Sequence, residues 1–75
     1  MVRVKSHTDV ERIATNWLKE EYGEIRRPFF REVWKEEDMW IVEGAVDYKS
    51  GMLSWSRATF KLQINTKGDI VGYST

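Results

Sequence analysis

The spacing of apolar residues in the first third of the chain is that of an amphipathic helix. Between residues 6 and 22 they follow the i, i+3, i+4, i+7, i+8 spacing that lines one helix face, at Val10, Ile13, Ala14, Trp17 and Leu18. Thr8 with Glu11 three residues later fits a capping box, and Gly23 supplies a left-handed stop. We therefore predict a helix over about residues 8–22.

After Gly23 the apolar positions alternate with a period of two, which is typical of half-buried strands. Segments rich in β-branched and aromatic residues predict four strands, over about residues 25–35, 39–48, 52–65 and 69–73. The short polar segments between them are 36–38, 49–51 and 66–68, and the last two end in Gly, as three-residue hairpin loops do. We predict a single α+β domain over residues 1–75, with one N-terminal helix packed on a four-stranded antiparallel meander in two layers.

Hairpin loops of three residues determine which residues face each other across the sheet. The predicted cross-strand pairs include Tyr48 with Met52, Trp40 with Phe60, Glu43 with Arg57, Gly44 with Ser56, Ile64 with Ile70, Lys61 with Tyr73, Trp34 with Trp40 and Arg31 with Glu43. Aromatic pairs and pairs of opposite charge stabilise a sheet, which supports this register. Gly44 would leave a gap of side chain in the middle of the sheet, where the long strands could bend.

The two faces of this sheet differ in chemistry. The face predicted to lie under the helix is apolar and holds Trp34, Trp40, Val42, Val46, Ala58, Phe60, Leu62, Ile64 and Ile70. One helix cannot cover both faces, so the opposite one, which we call the open face, should be exposed. An uncovered apolar patch usually marks an interaction site.

The open face combines apolar side chains, Met39 among them, with more cations than anions. Lys35 is one of these cations. Arg and aromatic residues are the types enriched at the centre of protein interfaces. We predict Trp55 as the central binding residue. The predicted interface or binding residues are Phe29, Arg31, Val33, Ile41, Glu43, Trp55, Arg57, Lys61 and Tyr73.

Composition narrows the class of protein. The 75 residues include 12 Lys and Arg, 12 Asp and Glu and no Cys, so the net charge is zero and neither a disulfide nor a thiolate metal site can form. No apolar run approaches the ~20 residues that span a bilayer, and the first dozen residues lack the apolar centre of a signal peptide. We expect a cytoplasmic protein without a membrane partner. The 32% of charged residues, with one Gln and two Asn, favour a thermophilic source.

Side chains able to catalyse a reaction are few and scattered. The single His is His7, beside the predicted helix start, and no Ser has a base at a recognisable spacing. Carboxylates cluster at Glu36, Glu37 and Asp38, where a hairpin tip ordinarily carries solvated charge. We expect no enzymatic activity, no cofactor and no metal site.

The order of these patterns resembles a known class of small modules. A helix with the pattern VExxAxxWLxxEYG is followed by a long strand, by WIVEGAVDY, by SWSRATFKLQI after a Gly turn, and by NTKGDIVGY at the end. The arrangement resembles the cystatin-like and PepSY-type α+β modules, which similarly end in a strand, a polar Gly-containing turn and a short closing strand. The resemblance implies the same fold and a role as inhibitor, regulatory or sensor domain, or dimeric binding scaffold. The chain lacks the Gln-Val-x-Val-Gly loop of cystatin inhibitors.

Three functions of the open face stay open at this point. A homodimer, joined through the open faces or through edge strands, would enlarge a small core. Aromatic and basic side chains could instead stack the bases and neutralise the phosphates of single-stranded nucleic acid, with Arg26 and Arg27 contributing, although the net charge is zero. A groove between helix and sheet could hold a small apolar ligand or a partner protein's strand. We expect the first, a non-enzymatic binding or assembly module that self-associates.

Overall fold

The chain forms one helix and four strands in the predicted order. The computed structural model describes residues 6–74, so residues 1–5, to which part of the signal-peptide expectation applies, lie outside it, as does residue 75. Helix α1 spans His7–Tyr22, and the strands are β1 Phe29–Glu36, β2 Met39–Lys49, β3 Trp55–Asn65 and β4 Ile70–Ser74. The strands form one antiparallel sheet in the order β1-β2-β3-β4. The predicted α+β meander is therefore confirmed.

Helix α1 begins one residue earlier than predicted, and a different residue caps it. The hydroxyl of Ser6 accepts a hydrogen bond from the amide of Asp9 at 3.4 Å, so the N-cap is Ser6 and not Thr8. At the other end Gly23 has a φ of 80° and donates its N–H to the carbonyl of Lys19 at 2.9 Å. The predicted glycine stop is confirmed.

The core lies between the helix and one face of the sheet. The helix contributes three fully buried residues, Val10, Ala14 and Leu18. The buried residues that the sheet contributes to the same cluster are Trp40, Val42, Val46, Phe60, Leu62 and Ile64, with Ala58 and Ile70 partly buried at its margin. All of these sheet residues were predicted for the helix side, so the period of two in β2 and β3 is confirmed.

The loop between β2 and β3 lies two residues further along the chain than predicted. The amide of Ser50 donates to the carbonyl of Ser54 at 3.0 Å, which leaves residues 51–53 as the loop and starts β3 at Trp55. The predicted pairs of β2 with β3 are therefore wrong by four residues, because the ladder runs from Met39 opposite Asn65 to Lys49 opposite Trp55. Four is an even number, so each side chain stays on its predicted face.

The turn between β1 and β2 is one residue shorter than predicted. Glu36 lies opposite Met39, which leaves Glu37 and Asp38 as the turn, and Glu37 takes a left-handed φ of 53°. Because side chains alternate along a strand, a change of one residue reverses the face of every β1 residue next to the turn.

Three residues of β1 consequently lie on the face opposite to the predicted one. Val33, predicted for the open face, packs at the margin of the core on the helix side. Trp34, predicted for the core, lies opposite Ile41 on the open face. Lys35 was predicted for the open face as well, but its ammonium lies 5.9 Å from the centre of the Trp40 ring, which belongs to the core.

A β-bulge at Arg31 restores the predicted faces in the first part of β1. The register shifts between Phe30 and Glu32, so Phe29 lies on the open face and Phe30 lies opposite Gly44 on the helix side. A Cβ at Gly44 would collide with the carbonyl oxygen of Phe29. The glycine is therefore explained by the close approach of β1, and not by a bend at a gap opposite β3.

The turn between β3 and β4 is the predicted one. The amide of Asn65 donates to the carbonyl of Asp69 at 3.0 Å, and Gly68 has a φ of 91°. The predicted pair of Ile64 with Ile70 is confirmed.

A second bulge shifts the rest of β4 by one residue. Lys61 lies opposite Ser74 instead of Tyr73. Tyr73, predicted for the open face, therefore lies on the helix side, with its ring 4.7 Å from that of Trp17 and its hydroxyl 3.0 Å from that of Tyr22. This contact with α1 excludes Tyr73 from the predicted interface.

Candidate interaction surface on the open sheet face

Most of the predicted interface residues do lie together on the open face. Helix α1 packs on the other side of the sheet. Val33 and Tyr73 are the two exceptions, because the short β1–β2 turn and the bulge in β4 place them on the helix side. The residues that the structure places on the open face are Phe29, Arg31, Ile41, Glu43, Trp55, Arg57 and Lys61.

Ile41 is on the open face but is not available to a partner. It lies between Trp34 of β1 and Gln63 of β3 in the sheet register, and only 4% of its surface is exposed. The reversed position of Trp34 thus places a large side chain beside Ile41.

A shallow depression of about 550 Å³ occupies the middle of the open face. Ala45 and Thr59, which lie opposite each other, are among the residues that line it, together with Glu43 and the three cations Arg31, Arg57 and Lys61. Glu43 lies opposite Lys61, and not opposite Arg57 or Arg31 as predicted. The depression therefore has an excess of positive charge that is offset in part by one carboxylate.

Arg57 is neutralised within the same chain by a residue of β2. Its guanidinium donates to Asp47 through Nε to Oδ1 at 2.9 Å and through Nη2 to Oδ2 at 3.3 Å. The hydrogen bond from Arg57 lowers the pKa of Asp47, and the charges of Arg57 and Arg26 act in the same direction. The same bond raises the pKa of Arg57. This bidentate pair replaces the predicted pair of Arg57 with Glu43.

The segment before β1 runs alongside the end of β2 without belonging to a regular strand. The amide of Arg26 donates to the carbonyl of Asp47 at 2.8 Å, and the amide of Lys49 donates to the carbonyl of Glu24 at 2.9 Å. Pro28 then interrupts the ladder, since it has no N–H to donate. Strand β1 therefore begins at Phe29 and not at residue 25.

This segment places the guanidinium of Arg26 over the ring of Trp55, the residue predicted as the centre of the interface. The guanidinium carbon of Arg26 lies 4.3 Å from the centre of the Trp55 ring, whose residue is 36% exposed. A stack of this kind contributes about 0.5–1 kcal/mol at an exposed site. In the sequence Arg26 could be recognised only as a cation near the sheet, so its contact with Trp55 was missed.

Exposed apolar side chains are concentrated at the β2–β3 hairpin. Met52 and Leu53 in the loop are 90% and 96% exposed, and Phe29 on the neighbouring open face is 66% exposed. We call Phe29, Met52, Leu53 and Trp55 the hairpin-end surface. Met52 and Leu53 were missed because they were predicted as strand residues, and only the displaced loop brings them to the tip.

The outer side of β3 is only partly covered. Strand β4 pairs with β3 from Lys61 onward. Among the described residues no strand lies beside the first half of β3, residues 55–60. The hairpin-end surface is thus continuous with an open sheet edge.

A second depression, of about 450 Å³, lies between α1 and the segment before β1. Its lining is largely charged: Glu11, Arg12, Lys19, Arg26 and Arg27, together with Thr15, Ile25, Pro28 and Phe30. Five of its nine lining residues are charged, whereas small-molecule pockets are mostly lined by hydrophobic and aromatic side chains.

The remaining chemistry of the described residues is sparse. Within residues 6–74 no three His, Asp or Glu side chains are grouped so that they could hold a metal ion. The ring of His7 lies edge-on to that of Trp40, 5.4 Å between centres. The only helix in this part of the chain is too short and too polar to cross a membrane.

Comparisons with protein-family models, with curated protein sequences and with solved structures find no match to this chain. The resemblance to cystatin-like and PepSY-type modules therefore stays a prediction.

Proposed function

We propose that the chain is a non-enzymatic assembly module that works as a homodimer, joined at the hairpin-end surface. The observation that carries this proposal is the concentration of exposed large apolar residues at one place. Besides the hairpin-end surface, the described part of the chain has only Val71 and Tyr73 as exposed large hydrophobic residues, and these are on β4. Exposed apolar residues grouped at one end of a sheet in this way mark interaction sites.

The size of the chain favours association. A domain of this length buries only about 60% of the surface that its unfolded chain exposes, which limits the stability of a single copy. Covering apolar surface contributes about 25 cal/mol per Å² removed from water. Met52 and Leu53 contribute little to the fold of one copy because they are almost fully exposed.

The charges at this end of the sheet suit a partner of the same kind. A twofold axis brings the same patch of both copies together, and side chains at the axis meet their own counterparts, so uncompensated cations there would repel. Arg57 is compensated by Asp47, and Lys49 forms an ion pair with Glu24 at 3.7 Å. The chain as a whole is neutral.

Sedimentation measures the association directly. At about 100 µM, where a micromolar Kd gives mostly dimer, we expect twice the protomer mass of 8.9 kDa. Leu53→Glu places a charge at a side chain that is exposed in one copy, so it should dissociate the dimer and leave the fold intact. The matched control is Val71→Glu, an equivalent change on β4, which should leave the dimer unchanged.

Two results would contradict the proposal. One is a folded protomer at about 100 µM, which would place any Kd well above the micromolar range. The other is an equal dissociation constant for Leu53→Glu and Val71→Glu, with circular dichroism showing both variants folded.

A second candidate function is the binding of single-stranded nucleic acid, which one specific observation favours. Trp55 and Phe29 are exposed rings on a sheet face that also carries Arg31 and Lys61, and rings and cations together bind unpaired bases and phosphates. Asp47 opposes this role, because it lies on the same face.

Labelled single strands test the nucleic-acid function. Binding at about 50 mM salt that weakens steeply as salt rises would support it, and Phe29→Ala should then weaken it further. If no binding is seen at that salt concentration, the nucleic-acid function is ruled out.

A further inference from the structure

The first half of β3 has main-chain groups that point away from the sheet. The bond between Ser50 and Ser54 closes the hairpin, and hydrogen-bonded pairs alternate from there along the ladder. The even residues of β3 therefore bond to β2, and the N–H and C=O groups of Trp55, Arg57 and Thr59 point outward. No strand of the described residues lies beside these three.

The other outer edges of the sheet carry features that discourage pairing. Strand β1 is preceded by Pro28, contains the bulge at Arg31 and ends in Lys35 and Glu36. Strand β4 has five residues and a bulge of its own. Bulges, proline, charges and short strands are the means by which proteins protect sheet edges.

The first half of β3 has none of these protections. It shows no bulge against β2, has no proline, and its single charge, on Arg57, is paired with Asp47. An edge of this kind pairs readily with another strand. It adjoins the loop that carries Met52 and Leu53.

We propose that a second copy of this chain occupies the edge, with β3 of one copy antiparallel to β3 of the other and with Arg57 on the twofold axis. The inference rests on the proposed homodimer and names the contact that forms it: the edge adjoins Met52, Leu53 and Trp55 of the hairpin-end surface, whereas Phe29, on β1, lies outside this contact. The two sheets then join into one continuous sheet.

The length of the open edge determines this register. Centring on Arg57 places Trp55 opposite Thr59 of the other copy, and Thr59 opposite its Trp55, so every outward group of both copies has a partner. A shift toward the hairpin tip leaves part of the edge without a partner, and a shift the other way runs into the part of β3 that β4 already covers.

Side chains also permit this register. Ser56 and Ala58 are small and would lie opposite each other on the helix side of the new pair. On the open face the axis brings Arg57 near its counterpart, and like charges opposite each other would be destabilising. Asp47 forms a bidentate pair with Arg57 in each copy, so two neutral pairs meet instead of two cations.

Disulfide cross-linking tests the contact, because the chain has no cysteine of its own. Directly opposed residues of a non-hydrogen-bonded pair have Cα atoms about 4.5 Å apart, within the ~4.4–6.8 Å that a disulfide spans. An oxidised mixture of Ser56→Cys and Ala58→Cys should therefore yield the covalent heterodimer, identified by its mass. Each variant alone should form few covalent dimers. Arg31→Cys, on the β1 edge, is the control and should also form few covalent dimers, because that edge is not part of the proposed contact.

Amide hydrogen exchange provides a readout without substitution. The Arg57 amide should exchange several-fold more slowly at concentrations where the chain sediments as a dimer than where it is a protomer. The Lys35 amide, which points outward from β1, should not change.

The outcomes separate this inference from the proposed function. Suppose the unmodified chain is a dimer, but the mixture of cysteine variants gives no heterodimer and the Arg57 amide exchanges equally fast in dimer and protomer. Edge pairing is then overturned, and the proposed homodimer is retained. If Ser56→Cys alone cross-links as fast as the mixture, the register is overturned. If the unmodified chain is a protomer at every concentration, both proposals fail.

Discussion

The guanidinium of Arg26 and the ring of Trp55 are in contact although strand β2 lies between their main chains. The guanidinium carbon is 4.3 Å from the ring centre. Arg26 bonds through its amide to Asp47 of β2, and Trp55 lies opposite Lys49 of the same strand. The stack therefore spans three segments of the sheet and holds the segment before β1 against the start of β3.

The first prediction concerns this stack. A double-mutant cycle of Arg26→Gln and Trp55→Leu should give a coupling free energy of about 0.5–1 kcal/mol, because an exposed cation–π contact has that magnitude. Urea unfolding measures it, at a concentration where sedimentation finds protomers only. The matched cycle with Arg27→Gln should give a coupling near zero, and equal couplings in the two cycles would show that the contact contributes nothing specific.

The second prediction concerns acid stability. Because the pKa of Asp47 is lowered in the folded chain, first by its hydrogen bond from Arg57, the unfolded chain binds more protons at acidic pH. The stabilisation is present above the ordinary pKa of about 4 and is lost as the pH falls through the folded pKa. The difference in Tm between the native chain and Asp47→Asn should therefore be larger at pH 7 than at pH 2–3.

Arg57→Gln provides the control for the acid effect. In that background, Asp47→Asn should produce a Tm difference that changes much less with pH, since the hydrogen bond that lowers the pKa is absent. A pH dependence of equal size in both backgrounds would assign the effect to other groups.

The third prediction compares two glycines. Gly44→Ala should cost about 1–3 kcal/mol, because the new Cβ meets the backbone of Phe29. Gly51→Ala in the β2–β3 loop should change the free energy of unfolding by about 0.5 kcal/mol or less, since its nearest neighbour would be the Ser54 Cβ at 3.6 Å. Denaturant unfolding of both variants measures the difference. Equal costs would mean that β1 relaxes away from β2.

The faces of β2 and β3 could be predicted from the sequence because both strands alternate apolar and polar residues along their whole length. The predicted loop position was wrong, yet Trp40 and Phe60 still reached the core, because an error of four residues keeps the faces. The turn at Glu37 contains no glycine that would indicate a positive φ in the sequence. The length of that loop and the face of Trp34 could therefore not be predicted.

The alternation of side chains along the strands predicted which face the candidate-site residues lie on, but not which residues they contact. Trp55 and Arg57 lie on the open face as expected. The partners of these residues could not be predicted, because Asp47 faces Arg57 only in the shifted register. Arg26 reaches Trp55 only because the segment before β1, on the N-terminal side of Pro28, also bonds to β2.

The fourth prediction concerns thermal stability. The high share of charged residues and the scarcity of amides led us to expect a thermophilic source. Calorimetry should then give a Tm above the ~45–65 °C that is common for mesophilic domains. A Tm in or below that range would count against the expectation.

The fifth prediction concerns the paired hydroxyls of Tyr22 and Tyr73. Their hydrogen bond, with burial, raises the pKa of Tyr22 from 10.0 to about 12. Because the folded pKa is the higher one, this stabilisation is present below pH 10 and is lost as the pH rises toward 12. Tyrosinate absorbance should show one of the three tyrosines titrating near pH 12, and Tyr73→Phe should bring that titration down toward 10. Tyr48→Phe is the control, because its ring lies 4.9 Å from that of Tyr22 and no hydrogen bond joins the two hydroxyls in the structure. If the late titration survives Tyr73→Phe, the hydrogen bond is not its main cause.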